Sequence, residues 1–190
     1  MDASTVNQVV GMDLGDKYSV LCTLDEAGEI VEESRIRTTP AAVTGRFAHL
    51  SPCRVVLEAG THSPWVSRQI ESYGHDVIVA NPRRVALIYG DHTKSDEIDA
   101  KTLAKLGRMD PELLSPIRHR GAETLADRAF LTARTALVRS RARLIQVARG
   151  IVKSHGQRLP ACGANYFAGK VRGHLPDELA LALSPLVETI

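Results

Sequence analysis

Four carboxylates stand out by their type and their neighbours: Asp13 in Gly11-Met12-Asp13-Leu14-Gly15, Glu58 in Leu57-Glu58-Ala59-Gly60, and Asp96 and Asp99 in Lys94-Ser95-Asp96-Glu97-Ile98-Asp99-Ala100-Lys101. On a helix, Asp96, Asp99, Leu103 and Leu106 fall on one face, because successive members are three or four residues apart. Leucines on such a face bury, so both acids are expected at an interior edge rather than in open water. Carboxylates converging there repel one another unless a cation lies between them. Ser95 suits an N-cap and first-turn acids suit the helix dipole, which predicts a helix from this point to about Leu106. The same acids would also serve merely to stabilise a helix, so the other two carboxylates decide the matter.

Asp13 and Glu58 each close a short apolar run. Val9 to Leu14, Ser19 to Leu24 and about Ile30 to Thr38 predict three strands in an antiparallel meander, with Asp25-Glu26-Ala27-Gly28-Glu29 as the second turn. Pro40 to Leu50 has helical character. Arg54 to Gly60 predicts a buried strand whose last side chain, Glu58, emerges at the sheet's C-terminal edge. Ser63-Pro64 then suits an N-cap and first helical residue of a helix to about Tyr73, and His75 to Ala80 predicts a further buried strand closed by Asn81-Pro82. Residues 83–93 are left as a connector. Strands first and strand-helix alternation afterwards call for an α/β fold, a mixed sheet covered by helices. In it the first strand and the strand of Glu58 lie parallel and adjacent, and ligand sites in α/β sheets form at C-terminal strand ends. Four carboxylates at one edge make an oxygen-rich site for Mg²⁺ or Mn²⁺, and two such ions about 4 Å apart clamp a phosphodiester during in-line displacement. The histidines and cysteines form no competing zinc pattern.

Charge is divided along the chain. Residues 1–117 carry 12 basic against 17 acidic residues, net −5, residues 118–158 carry 10 against 2, net +8, and residues 159–190 carry 2 against 3. An acidic module joined to a cationic arm suits a polyanionic partner such as nucleic acid. Cys22, Cys53 and Cys162 show no paired spacing, and the N-terminus combines no positive charge with a long apolar run, which predicts a reduced, cytoplasmic protein without a membrane span. A chain of 190 residues holds one ordinary domain plus an appendage.

The four acids in their motifs, with Asn81-Pro82 between the second and third, resemble the DEDD transposases of insertion sequences, the one-ten family that also includes Piv-like DNA invertases. The similarity covers about residues 8 to 158. The resemblance implies a RuvC-like, RNase H-type nuclease domain in residues 1–117, with Asp13, Glu58, Asp96 and Asp99 as metal-binding catalytic acids. It further implies a coiled-coil segment and a separate serine-bearing domain for DNA strand exchange, guided by an RNA and acting on element ends and target. The chain ends at Ile190 with no room for that domain, so it reads as a fragment, an isolated domain or a truncated copy.

From Ala122 to His155 there is no proline and one glycine, Gly150, which predicts a long helix within a basic arm spanning 118–158. Phe130, Leu137, Leu144 and Ile151 recur every seven residues, as do Leu131, Val138, Ile145 and Val152, a pattern for homo-oligomeric pairing or a helical hairpin; the rival is packing on the chain's own nuclease domain. Arg134 and Arg141 interrupt the seam. Arg128, Arg139, Arg143 and Lys153 are expected to contact phosphates, with Lys94 as a further candidate beside the acids. His62 and His92 are candidates for proton transfer, and Trp65 is expected in the core. Residues 159–190 are expected to be loop followed by the start of another helix. Three alternatives remain: a self-sufficient RuvC-like nuclease, an actin-like-fold phosphotransferase opened by Asp-x-Gly, and a silent nucleic-acid-binding assembly module.

Overall fold

The structure is a computed structural model that describes residues 8–88 and 96–190. It separates into two compact units, residues 1–119 and 120–190.

In the first unit, β1 (Val9–Leu14), β2 (Tyr18–Leu24) and β3 (Ile30–Arg37) form the expected antiparallel meander. Its second turn is closed by the Asp25 carboxylate, which accepts the Glu29 N–H, and by Gly28 at φ 88°, a value that side chains resist. Helix α1 (Pro40–Phe47) starts at Thr39, whose hydroxyl accepts the Ala42 N–H, with a proline whose fixed φ suits the first turn. It leads into β4 (Arg54–Glu58), then α2 (Ser63–Glu71), β5 (Asp76–Ala80), α3 (Pro82–Ile88) and α4 (Asp96–Met109). The strand order is β3-β2-β1-β4-β5, with β4 parallel to β1 and β5 parallel to β4. This mixed five-stranded sheet with flanking helices is the α/β arrangement expected from the sequence.

Alternation along the strands divides two cores. On one face Val10, Met12, Leu21, Val55 and Leu57 pack with Val43 and Phe47 of α1 and Val66 and Ile70 of α2; Trp65 lies half-buried against them. On the other, Val9, Val56 and Ile78 meet Leu103 and Leu106 of α4, while Cys22 and Leu24 meet Ala100 and Ala104. Helix α4 sits unusually close to the sheet. A Cβ at Gly11 would overlap the Ala100 carbonyl oxygen and the Ala104 nitrogen, and one at Gly107 would overlap a Val56 methyl. Neither glycine is needed for its backbone angle; both are needed for proximity.

Two of these boundaries differ from the sequence reading. Residues 83–88 of the expected connector are helical, because Pro82 fits a first helical turn and the Asn81 side chain accepts the Arg83 N–H. Helix α4 runs on past Leu106 to Met109. After it a 3-10 turn at Pro111–Leu114 returns the chain to β5, where Asn81 N–H donates to Leu114 C=O and Ile117 N–H to Val79 C=O. These bonds occupy backbone groups that an edge strand otherwise leaves open.

In the second unit α5 (Ala122–Ser154) is the long helix, 33 residues. Its C-terminal part forms a hairpin with α7 (Asp177–Thr189), burying Ala148 and Val152 with Leu179, Leu183 and Val187. Residues 164–174, expected as loop, carry short helical turns and α6 (Phe167–Val171), because Phe167 and Val171 bury in the same core. Arg149 secures this region, its guanidinium 5.2 Å from the Phe167 ring and bonded to Pro160 C=O. Phe130, Leu131, Leu137 and Val138 of the N-terminal part of α5 are exposed. Among the described residues no helix is long and apolar enough to cross a membrane.

Because the α4 contact is backbone on backbone, Gly11→Ala is expected to lower unfolding free energy by about 1–3 kcal/mol, the usual cost of overpacking. Denaturant unfolding checks this; an unchanged midpoint would mean that α4 does not rest on β1 as described.

Candidate functional site

Asp13 and Glu58 reach the same edge of the same sheet face. Gly11 faces α4, so Asp13, two residues on, does too; Val56 faces α4, and so does Glu58. Their strands are parallel neighbours, paired up to Met12 and Leu57, so the two acids occupy adjacent positions just past the last pair. Both side chains are partly buried. Asp99 is also partly buried, one residue before the Ala100 whose carbonyl abuts Gly11. Asp96 differs from the sequence reading. It is the first residue of α4 and solvent-exposed, since the buried stripe of that helix begins only with the turn carrying Ala100 and Leu103.

The loops that follow the two strand-end acids are tied down. Beyond Asp13, the Thr38 hydroxyl donates to Gly15 C=O at 2.8 Å, which leaves Ser19 to donate to Thr38, also at 2.8 Å. Beyond Glu58, Ser63 is the first residue of α2 rather than its cap. Its hydroxyl donates to Gly60 C=O (2.8 Å) and accepts Gly60 N–H (2.9 Å). With that proton committed, His119 Nε2–H is the donor in the 2.9 Å contact to Ser63 Oγ. Burial, then the positive charge of Arg68, lowers the His119 pKa, against a smaller opposite effect of Glu71. The two loops also meet. His62 Nε2 lies 3.6 Å from Asp16, while Trp65 Nε1–H donates to His62 Nδ1 at 3.2 Å and thereby fixes the tautomer.

Cys53 and His75 form a thiol-imidazole contact, 3.3 Å, toward the opposite end of the sheet. Both are buried, Cys53 N–H donates to Nδ1, and His75 Nε2–H donates to Phe47 C=O. Burial pushes the Cys53 thiol up to about 11 even beside Arg46, so it offers no nucleophilic thiolate at neutral pH. This pair holds the α1–β4 connection to β5.

The transposase model of the IS110 DEDD group matches residues 10–156. The chain belongs to this family. Among curated proteins it is 27% identical over 184 residues to the Coxiella burnetii "Transposase for insertion sequence element IS1111A", covering 96% of this chain and 48% of that one. It is 26% identical over 148 residues to the Pseudomonas aeruginosa "Probable family 20 transposase", covering 77% and 42%. The chain thus spans about half the length, or less, of these relatives. Among solved structures, "Thermus thermophilus RuvC structure" aligns over 54% of this chain and 96% of its own at 14% identity and TM-score 0.40. "T. thermophilus RuvC in complex with Holliday junction substrate" does so over 55% and 96% at TM-score 0.41.

All four acids of this DEDD transposase-family chain lie within the matched span. The fold brings Asp13 and Glu58 side by side and sets Asp99 against their face. Among the described residues no three His, Cys, Asp or Glu side chains are grouped closely enough to hold a metal ion. Carboxylate oxygens are nevertheless the kind of ligand that a hard divalent cation takes. Arg128, Arg139, Arg143 and Lys153 are all exposed on α5, as phosphate contacts require. Lys94, His92 and Ser95 lie outside the described residues. Sequence reasoning missed the Ser63–His119 tie and the two packing glycines. A glycine inside an apolar strand, Val10-Gly11-Met12, was the available signal.

Because the His119 pKa is lowered on folding, the unfolded chain binds more protons as pH falls. The stability that neutral His119 contributes is full above its ordinary 6.5 and is lost as pH drops through the lowered folded value. Thermal unfolding of wild type and His119→Asn is expected to differ most near neutral pH and to converge on acidification. Parallel curves at every pH would remove His119 from the loop's support.

Proposed function

We propose that this chain is the nuclease-like portion of a DNA transposase of a mobile element, acting on DNA phosphodiesters at element ends and target with Asp13, Glu58, Asp96 and Asp99 as catalytic acids. The observation that carries the reading is the meeting of Asp13 and Glu58 on adjacent parallel strand ends, with partly buried Asp99 of α4 on the same side, in a chain of the DEDD transposase family. These four carboxylates would hold two Mg²⁺ or Mn²⁺ ions. Such ions, when bound, neutralise charge on the phosphate and activate the attacking oxygen.

The protein's own contribution is placement. Asp13 and Glu58 are fixed by strand backbone, and their following loops by Thr38 and Ser63, so neither acid can retreat far when charge gathers between them. Asp99 approaches from α4 because Gly11 lets that helix down onto β1. Asp96, exposed at the helix start, supplies a carboxylate from the solvent side. Holding reacting groups in position contributes more to such reactions than side-chain proton transfer. The basic α5, with Arg128, Arg139, Arg143 and Lys153, would bind nucleic-acid backbone, DNA or a guide RNA, and its exposed Phe130, Leu131, Leu137 and Val138 would pair with a second copy. With three unpaired cysteines, a reducing cytoplasm is the compartment that fits. The domain division in this reading is a nuclease domain in 1–117, an arm in 118–158, and 159–190 as its helical return.

Titration calorimetry with Mn²⁺ is expected to show binding that Asp13→Ala abolishes and Asp96→Ala weakens less, since Asp96 is exposed. Incubation with Mg²⁺ and branched or element-end DNA is expected to give strand cleavage that Glu58→Gln suppresses. Unchanged Mn²⁺ affinity in folded Asp13→Ala would sink the proposal.

A further inference from the structure

The sheet face that carries the acids is only partly roofed. Helix α4 lies over β1, β2 and β4, whereas edge strand β3 is exposed along nearly its whole length. Register fixes what the open part displays. Asp13 pairs with Val20, Val20 with Arg35, and Tyr18 with Arg37, so Tyr18, Arg35 and Arg37 stand on the same face as Asp13. They also stand at the same end of the sheet, where β1 finishes, β2 begins and β3 finishes.

All three side chains are exposed, and the Arg35 guanidinium lies over the Tyr18 ring, 4.3 Å from its centroid. That stack is a flat cationic platform held by two neighbouring strands. Lys17 is exposed in the adjoining turn. The opposite wall is basic as well, because Lys101 and Lys105 follow the alanines that touch Cys22 and Leu24 and thus project toward the β2–β3 side of α4. Burial, then Glu33, raises the pKa of the Cys22 thiol, and the charges of Lys101 and Lys105 oppose that rise. Glu33 pairs with Cys22, two residues further from the acidic edge than Arg35, and Asp16 is exposed beside Lys17 in the turn.

We propose that this open flank is a binding track for a single nucleic-acid strand, with Arg35, Arg37, Lys17, Lys101 and Lys105 receiving backbone phosphates and the Tyr18–Arg35 stack receiving a base. The inference rests on the reading of the acidic edge as a phosphodiester site and adds the path by which a strand reaches it. Phosphates are attracted by the cationic walls, guanidinium and aromatic planes stack on any base, and the track opens beside Asp13. Such contacts position a strand without reading its sequence.

The test uses the full chain, EDTA, and a labelled single-stranded DNA or the RNA of the same sequence, with anisotropy measured across a salt series. Arg35→Gln combined with Arg37→Gln is expected to weaken binding about tenfold and to flatten the log affinity against log salt slope by about 1.4, the value for two phosphate contacts on a single strand. Tyr18→Ala is expected to weaken binding about tenfold with the slope unchanged, since stacking releases no counterions. A crosslink from a photoreactive thymidine or uridine to Tyr18 would support the track directly. Loss in the DNA arm alone assigns the track to DNA, and loss in the RNA arm alone assigns it to RNA. Affinity and slope unchanged in both variants would overturn the proposal. The same variants are titrated with Mn²⁺. Retained Mn²⁺ binding with lost strand binding separates the track from the metal site. Strand binding lost as expected in a chain that never binds Mn²⁺ would leave the track standing and remove the metal reading.

Discussion

The approach of α4 to β1 at Gly11 is the contact on which the first unit depends. Helix-on-sheet packing normally keeps the two backbones apart by the thickness of interleaved side chains. Here the Ala100 carbonyl and the Ala104 nitrogen occupy the space where a side chain of residue 11 would be. Gly107 repeats the device from the helix side, receiving Val56. Two such contacts along one helix set its distance, tilt and axial position together. A slide by one residue, about 1.5 Å, would bring different atoms over Gly11 and move Leu103 and Leu106 off Val9, Val56 and Ile78. Asp99 is therefore held near Asp13 by the packing of α4 on β1.

That arrangement matters because the acids work against it. Carboxylates on adjacent strand ends repel, and repulsion would be relieved by fraying the ends or swinging the loops. The ties sit where that relief would begin. Thr38 clamps the turn after Asp13, and Ser63, backed by His119, clamps the loop after Glu58. The hydroxyl of each is held within a network of backbone and side-chain partners, so loosening either loop leaves buried polar atoms unpaired, at about 1–3 kcal/mol each.

The order of elements in the first unit was legible because its strands give way to turn residues and α1, α2 and α3 start on a proline or one residue before it. Thr39-Pro40, Gly60 and Gly74 mark boundaries that the structure keeps within a residue or two. What was not legible is tertiary. Pro82 stops β5, as a proline after a strand does, but it also opens α3. Ser63 resembles a cap by type, yet its hydroxyl turns back to Gly60 and His119, a partner 56 residues away. The exposure of Asp96 follows from where the buried stripe of α4 begins, which periodicity alone does not reveal. In residues 159–174, glycines and a proline suggested loop, and only the docking of Phe167 and Val171 onto α5 makes short helical turns worthwhile.

Charge shows the same gap between counting and placing. Net −5 over residues 1–117 suggests a unit that repels nucleic acid everywhere. Its acids, however, are distributed by function and pairing. Asp25, Glu26 and Glu29 lie in the turn at the far end of β2, about 20 Å from Tyr18 at the usual strand rise. Glu32 is paired with Arg46 on the opposite face, and Asp76 with Arg54. A Debye length of about 8–10 Å makes a phosphate respond to its immediate surroundings rather than to the total charge. Beside the acidic edge those surroundings are Lys17, Arg35 and Arg37 with the near flank of α4, against the single exposed carboxylate of Asp16 in the turn, and on balance they are basic. The unit thus concentrates negative charge where a cation would sit and positive charge where a strand would lie, two neighbouring requirements that a sum over the sequence cancels.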